Sequence, residues 1–158
     1  MTNNRSVLHA SFSIERRYPH PPARVFAAFA TPEQKLRWFA GADEQVAEYE
    51  LDFCVGGREL ARGTAPNAET YVYDARYQDI VPDERIVYTY YMHIGEPRVS
   101  VSVSTLEFIA DGTATRLVYT EQGVYLDGLD SPAQREAGTR ELLEALGAAL
   151  ESQAARAS

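Results

Sequence analysis

The sequence contains only one cysteine, Cys54, which excludes an internal disulfide. A lone cysteine usually behaves as a small apolar packing residue, and we expect Cys54 to be buried. The three histidines, at positions 9, 20 and 93, fall in different predicted elements, and no pair has the spacing of zinc ligands. The sequence has no Gly-x-Ser-x-Gly motif and no glycine-rich loop between a strand and a helix. We therefore expect no metal site and no bound cofactor.

Basic residues are also scarce. Lys and Arg together number 15 against 23 Asp and Glu, and the formal net charge is −8. Proteins that bind phosphate backbones cluster lysine and arginine on one surface, and this chain has no basic run. The charge therefore argues against nucleic acid as a partner and against docking on anionic lipid.

Long apolar runs are missing as well. No run approaches the roughly 18 residues of a membrane-spanning helix, and the N-terminus lacks the apolar segment of a signal peptide. We expect a cytoplasmic protein with no membrane partner. The length of 158 residues suggests one domain, and a domain of this size buries about 70% of its unfolded surface. We assign residues 8–155 to this domain and expect residues 1–7 to be flexible.

Three segments carry the signals of helices. In "PHPPARVFAAFA" Pro22 suits a first helical turn, and apolar residues follow on one face. The segment "TPEQKLRWFAG" begins with the capping residue Thr31. The third helix begins with a similar cap at Ser131 and extends to about Ala155.

The remaining segments have the patterns of strands. Phe12 and Ile14 alternate with polar residues, which predicts a first strand with one buried face. Six further strands follow between residues 44 and 124, with turns at Gly56-Gly57, Pro82-Asp83-Glu84 and Asp111-Gly112. Grouped strands followed by a terminal helix predict the α+β class, with an antiparallel sheet packed on that helix.

The last predicted helix has two unlike halves. Its C-terminal half carries an apolar stripe at the spacing of a buried face, formed by Leu142, Leu143, Leu146, Ala149 and Leu150. The same face of the N-terminal half presents Gln134, Arg135, Gly138 and Thr139. This end either projects into solvent or covers a cavity whose floor is the sheet. Glycine inside a helix is unfavourable, so we expect Gly138 to permit a close approach of protein or ligand.

Four phrases of the sequence resemble a known superfamily: "PPARVFAAFATPEQKLRWFAG", "YQDIVPDERIVYTY", "ADGTATRLVYTEQG" and "REAGTRELLEALGAAL". With the order of elements, they resemble the SRPBCC superfamily, also called START-like or birch-pollen-allergen-like. Within it they resemble the bacterial branch named after the C-terminal domain of the activator of heat-shock-protein ATPase. The resemblance covers about residues 8–152.

This resemblance implies the helix-grip fold. A curved antiparallel sheet of about seven strands wraps around a long C-terminal helix, two short helices follow the first strand, and a cavity lies between sheet and helix. Members bind lipids, hormones or polyketides, and some cyclise or hydrolyse them. Related sequences often carry a Gly-Trp pair in the long helix, where this chain has Gly138-Thr139. The missing indole predicts a roomier or more polar cavity roof.

Period-two alternation predicts which strand residues face such a cavity. Tyr88 and Tyr90 lie on an apolar strand face, and Tyr119 and Glu121 lie on the matching face of the last strand. We also place the face of "YVYDARY" that carries its tyrosines inside. The predicted cavity residues are Trp38, Tyr73, Tyr77, Tyr88, Tyr90, Met92, Leu106, Phe108, Tyr119, Glu121, Gly138 and Leu142.

Glu121 is the one residue of this set with a candidate chemical role. It lies at the end of an inner strand, beside the predicted start of the long helix. It could act as an acid or base with a raised pKa, together with Tyr119 or Tyr90. It could equally cap a loop or form a structural contact with Arg135, and we favour the structural reading.

Three functions remain open from the sequence. We prefer binding of a small hydrophobic, aromatic or lipid-like molecule, because aromatic walls with a few polar groups are typical of ligand pockets. A polyketide-cyclase-like or hydrolase-like enzyme would use the same cavity, and the family name suggests a co-chaperone-like interaction domain. Val99, Val101 and Val103 form a second apolar strand face, which keeps homodimerisation open.

Overall fold

The computed structural model describes residues 5–40 and 45–157, and these ranges form seven strands and three helices. In chain order the elements are β1 (Val7–Tyr18), α1 (Pro22–Ala27), α2 (Pro32–Lys35), β2 (Gln45–Leu51), β3 (Arg58–Thr64), β4 (Thr70–Val81), β5 (Arg85–Ile94), β6 (Arg98–Asp111), β7 (Ala114–Leu126) and α3 (Pro132–Ala157). The predicted α+β class and order of elements are confirmed.

All seven strands join one antiparallel sheet in the order β1-β7-β6-β5-β4-β3-β2. Strands β2 to β7 pair with their neighbours in sequence, and β1 pairs with β7 from Val7 opposite Leu126 to Tyr18 opposite Thr115. Bulges bend a sheet and increase its twist. Register shifts of this kind occur at Val46/Glu48, Tyr77/Asp79 and Met92/His93. The curved sheet packs its inner face on α3.

The caps and turns follow the local sequence signals. Thr31 Oγ1 accepts a hydrogen bond from the Gln34 N–H at 3.3 Å, and Ser131 Oγ accepts one from the Gln134 N–H at 3.1 Å. These bonds satisfy N–H groups that a helix start leaves unpaired. The β6–β7 turn places Gly112 at a φ of 61°, a conformation that glycine adopts without steric cost.

The C-terminal half of α3 forms the tight contact between helix and sheet. Leu143 and Leu146 are buried in the core, and the Tyr18 hydroxyl donates to the Leu143 carbonyl oxygen at 2.8 Å. A Cβ at Gly147 would lie 3.3 Å from the Tyr18 ring, whereas a Cβ at Gly138 would meet nothing within 4 Å. A close approach of protein at Gly138 is therefore wrong, and the approach of a ligand there stays a prediction. A close approach of protein occurs instead at Gly147, in the C-terminal half of α3, because only that half packs on the sheet.

Two further expectations require correction. Cys54 is exposed, because β2 ends at Leu51 and the cysteine lies in the turn that leads to β3. Val99 is buried, whereas Val101 and Val103 are 43% and 37% exposed. The three valines do not share a face, because Val99 is the extra residue where the β5–β6 register shifts.

The N-terminal end of β1 is attached to the loop after β7. The Ser6 N–H donates to Asp127 Oδ1 at 3.0 Å, and Arg5 Nη1 pairs with Asp127 Oδ2 at 3.1 Å. Residues 1–4 of the segment expected to be flexible lie outside the described residues. Within the described ranges, no helix has both the length and the apolar character needed to cross a membrane.

Candidate functional site

A cavity of about 560 Å³ lies between the inner face of the sheet and the N-terminal half of α3. Strands β4, β5 and β7 form its floor, the segment around α2 closes one side, and α3 covers it. The exposed residues Leu36, Asn67 and Glu141 belong to its rim. The site is therefore an internal space that opens at one edge of the sheet.

Eight of the residues predicted from the sequence line this cavity: Trp38, Tyr73, Tyr88, Tyr90, Met92, Tyr119, Gly138 and Leu142. Trp38 is held by its indole N–H, which donates to the Ala28 carbonyl oxygen at 3.0 Å. Gln134 and Thr139 of α3 also contribute to the lining. The polar half of α3 therefore covers the cavity, while its apolar half fills the core.

The structure places the other four predicted residues away from the cavity wall. Leu106 and Phe108 are buried in the packed core, where the Phe108 ring contacts Phe26 and Phe29 at centroid distances of 5.4 and 5.5 Å. Tyr77 and Glu121 are buried beside the cavity, each within a hydrogen-bonded cluster. These two clusters determine the chemistry of the site.

The first cluster centres on Glu121, which is 1% exposed. Its carboxylate accepts hydrogen bonds from the hydroxyls of Tyr119 at 2.7 Å, Tyr90 at 2.9 Å and Ser104 at 3.0 Å. Burial raises the pKa of Tyr90 and Tyr119 well above its usual range, so both hydroxyls stay protonated and act as donors. The carboxylate therefore has a full set of protein partners.

Arg135 joins this cluster to α3. Its guanidinium donates to the Tyr90 hydroxyl at 2.9 Å, to Ser100 Oγ at 2.8 Å and to Asp130 Oδ2 at 2.7 Å. It also lies 3.7 Å from Glu121 Oε2. Burial alone would lower the pKa of Arg135, but these anionic and hydroxyl neighbours raise it. Arg135 thus fastens the N-terminal half of α3 to the sheet, as the structural reading of Glu121 expects.

Sequence reasoning missed the second cluster, which centres on Glu59. Glu59 is 1% exposed and Lys35 is 3% exposed. Lys35 Nζ donates to Glu59 Oε1 at 3.1 Å, while the hydroxyls of Tyr77 and Tyr49 donate to the same carboxylate at 2.9 and 2.7 Å. One signal was present: Glu59 lies two residues before Ala61, on the inner face of β3.

Aromatic rings surround the ammonium group of Lys35. Its Nζ lies 4.5 Å from the ring centroid of Phe39 and 5.5 Å from those of Phe29 and Trp38. Ring faces attract cations, and the attraction strengthens when water is excluded. Trp38 and Phe39 lie just after the end of α2, where the Phe39 N–H donates to the Lys35 carbonyl oxygen at 2.9 Å, so one turn of chain brings the cation and two of its rings together.

Tyr73 connects the two clusters across the floor of the cavity. Its ring lies 4.9 Å from the Tyr90 ring and 5.0 Å from the Phe39 ring, measured between centroids. Burial raises the pKa of Tyr73 well above its usual range. Its hydroxyl is buried without a hydrogen-bond partner among the described residues. Buried hydroxyls of this kind are uncommon in proteins.

Two solved structures of bacterial proteins are similar to this chain over most of its length. A solved structure from Rhizobium loti is 49% identical, with a TM-score of 0.85, and the match covers 91% of this chain and 99% of that one. A structure from Rhizobium leguminosarum is 43% identical, with a TM-score of 0.89, and the match covers 94% and 98%. No curated protein matches the chain.

A more distant structure shares the fold. An AHSA1-like protein of Aeromonas hydrophila is 19% identical, with a TM-score of 0.68, and the match covers 92% of this chain and 94% of that one. Residues 19–151 match the family described as Activator of Hsp90 ATPase homolog 1-like protein. The match spans most of the chain and agrees with the resemblance read from the sequence. The chain therefore belongs to the Activator of Hsp90 ATPase homolog 1-like protein family.

Proposed function

We propose that the protein binds a small, largely hydrophobic molecule in the cavity between the sheet and α3. The observation that carries this proposal is the cavity of about 560 Å³, which falls within the range of about 300–1,000 Å³ typical of ligand pockets. Its wall combines aromatic rings with a few polar groups, as such pockets usually do. The open space at Gly138 supports the same conclusion, since among the described residues a Cβ there would meet nothing within 4 Å.

The polar clusters support a cavity that exists before any ligand enters. Tyr90 and Tyr119 are anchored on Glu121, and Arg135 anchors the covering helix on the same cluster. A binding site that is already formed loses less free energy to ordering when a ligand binds. The preformed cavity therefore suits reversible binding of a small ligand.

Glu121 fits this proposal as a support of the wall. It does not line the cavity, and hydroxyl donors surround its carboxylate. A general acid or base must reach a proton of the substrate within hydrogen-bond distance. The position of Glu121 behind Tyr90 and Tyr119 therefore favours binding over the enzymatic alternative.

The proposal can be tested by native mass spectrometry and thermal shift against a panel of neutral lipids, sterols and aromatic compounds. The wild-type protein should retain at least one compound class and should gain thermal stability with it. Gly138→Leu should abolish this binding, because its side chain would project into open space within the cavity. Gly138→Ala is the matched control and should still bind.

Two results would contradict the proposal. The first is that no compound of the panel raises the thermal stability of the wild-type protein or forms a complex with it in the native mass spectrum. The other is a Gly138→Leu protein that binds as tightly as the wild type, because the compound would then occupy some other surface.

A further inference from the structure

We propose that the molecule bound in the cavity is neutral and carries a carbonyl-type oxygen, and that Lys35 recognises this oxygen. The inference rests on the proposed function, since it names the class of ligand that the same cavity would take. It is carried by one juxtaposition: a buried ammonium, paired with a buried carboxylate, lines the cavity among aromatic rings.

Lys35 has donors to spare. Among the residues that the structure describes, its Nζ forms one hydrogen bond, to Glu59 Oε1 at 3.1 Å. An ammonium group carries three N–H donors. The rings of Phe29, Trp38 and Phe39 lie 4.5–5.5 Å from Nζ, and they attract the charge without supplying an oxygen acceptor. Two N–H donors of this cavity-lining residue therefore have no oxygen acceptor among the described residues.

Stability alone does not account for this ion pair. Withdrawing two charges from water is costly, and apolar residues of similar volume often stabilise a core equally well or better. The sequence nevertheless places Lys35 and Glu59 where both are almost completely buried. A role in recognition explains why the ammonium is held at the wall of an apolar cavity.

The partners already present determine which ligand group fits. The hydroxyls of Tyr49 and Tyr77 donate to Glu59, so among the described cavity residues two N–H donors of Lys35 and the Tyr73 hydroxyl are left without a hydrogen-bond partner. A carbonyl oxygen offers two lone pairs and brings no proton of its own. It would satisfy the ammonium without introducing a donor that the aromatic wall cannot pair.

The surrounding charge selects against an anionic ligand. Of the two cations that line the cavity, Arg135 is already paired with Asp130 at 2.7 Å, and Lys35 is paired with Glu59. Carboxylates outnumber these cations within and beside the lining: Glu59, Glu69, Glu121, Asp130 and Glu141. A ligand carboxylate near Lys35 would be repelled by Glu59 through a medium of low dielectric constant. A neutral ligand avoids this repulsion.

The experiment compares three probes by isothermal titration calorimetry. The first is prodan, a neutral and fluorescent naphthyl ketone. The second is its analogue with a methylene in place of the carbonyl, and the third is the analogue with a carboxylate in place of the propionyl group. All three present the same aromatic surface, so differences in affinity report on the oxygen and on its charge.

The variant removes both members of the ion pair, as Lys35→Met with Glu59→Gln, so that no lone charge is left buried. Its control removes a second ion pair of the same sheet, as Arg58→Met with Asp74→Asn. Arg58 Nη2 lies 2.7 Å from Asp74 Oδ2, and neither residue lines the cavity. Circular dichroism establishes that both proteins are folded before any probe is titrated.

In the wild type, prodan should bind on the order of 10- to 100-fold more tightly than the methylene analogue, as expected for a hydrogen bond from a charged donor. This advantage should disappear in the Lys35→Met/Glu59→Gln protein and persist in the control protein. The carboxylate analogue should bind more weakly than prodan. Prodan emission should also shift towards the blue in the variant, because its carbonyl loses a hydrogen bond.

Other outcomes separate the two proposals. If the methylene analogue binds the wild type as tightly as prodan, or if the ketone advantage survives in the variant, Lys35 does not recognise the carbonyl, although binding in the cavity stands. A carboxylate analogue that binds most tightly overturns the inference in the same way. If none of the three probes binds and the wider panel is also silent, the proposed function itself fails.

Discussion

Gly138→Ala should stabilise the protein, whereas Gly147→Ala on the same helix should not. Both residues lie within α3, where glycine costs about 0.5–1 kcal/mol relative to alanine. A Cβ at Gly138 meets nothing within 4 Å, so the whole gain of about 0.5–1 kcal/mol is expected. For a chain of this length, that gain raises Tm by about 1–4 °C.

Gly147 gives the opposite balance. A Cβ there would lie 3.3 Å from the Tyr18 ring, which is buried and whose hydroxyl donates to the Leu143 carbonyl oxygen at 2.8 Å. The ring cannot move aside without lengthening this hydrogen bond. Overpacking of this kind costs about 1–3 kcal/mol, which exceeds the gain in helix propensity. We expect a net loss of up to about 2 kcal/mol.

Urea denaturation of the two variants and the wild type, without ligand, measures both effects. The free energy of unfolding should differ between the variants by at least about 1 kcal/mol, with m-values unchanged. If Gly138→Ala lowers stability, or if both variants change alike, the N-terminal half of α3 packs on the sheet. The open space at Gly138 would then not exist.

Three further predictions concern titratable groups. Glu121→Gln should lower the free energy of unfolding by about 1.5–3 kcal/mol, measured in urea, because hydrogen bonds to a charged acceptor are lost, while ligand binding persists. Loss of binding with unchanged stability would show that Glu121 contacts the ligand rather than supporting the wall. Cys54 is exposed and should react with a thiol reagent in the native state. Asp52→Asn should accelerate this reaction, because the hydrogen bond to Asp52 raises the pKa of the Cys54 thiol. A thiol that reacts only after unfolding would contradict this prediction. The contribution of the buried tyrosines to stability should be constant below about pH 10 and fall above it by up to about 1.4 kcal/mol per pH unit for each of them, because burial raises the pKa of these groups in the folded state. The full tyrosinate absorbance of the ten tyrosines should therefore be reached only together with the loss of circular dichroism, and full absorbance in the folded protein would refute the assignment.

The order of elements could be predicted from the sequence because its signals are local. Alternation identified the strands, and the Asp111-Gly112 turn and the caps at Thr31 and Ser131 identified where elements begin or end. Alternation also placed Tyr88 and Tyr90 on the inner face. These predictions need only neighbouring residues, so a single sequence is sufficient for them.

The Glu59 cluster could not be found in the same way. Lys35 and Glu59 are 24 residues apart, and their contact depends on how α2 packs over β3. A lysine and a glutamate in such positions read individually as solvent-exposed charges. The prediction that Cys54 is buried was wrong because it used the residue type alone. Cys54 lies in a turn outside the sheet, where it is exposed.

The tyrosines explain how an open space persists beside a packed core. Tyr90 and Tyr119 are held at their hydroxyls by Glu121, and Tyr77 and Tyr49 are held by Glu59. A ring fixed both at its backbone and at its hydroxyl cannot turn into the cavity and fill it. Phenylalanine or leucine at the same positions would lack this second attachment, and apolar side chains tend to pack until no large void remains. The two buried carboxylates therefore hold the tyrosine rings in place beside the cavity, and Glu59 also pairs with Lys35 at 3.1 Å.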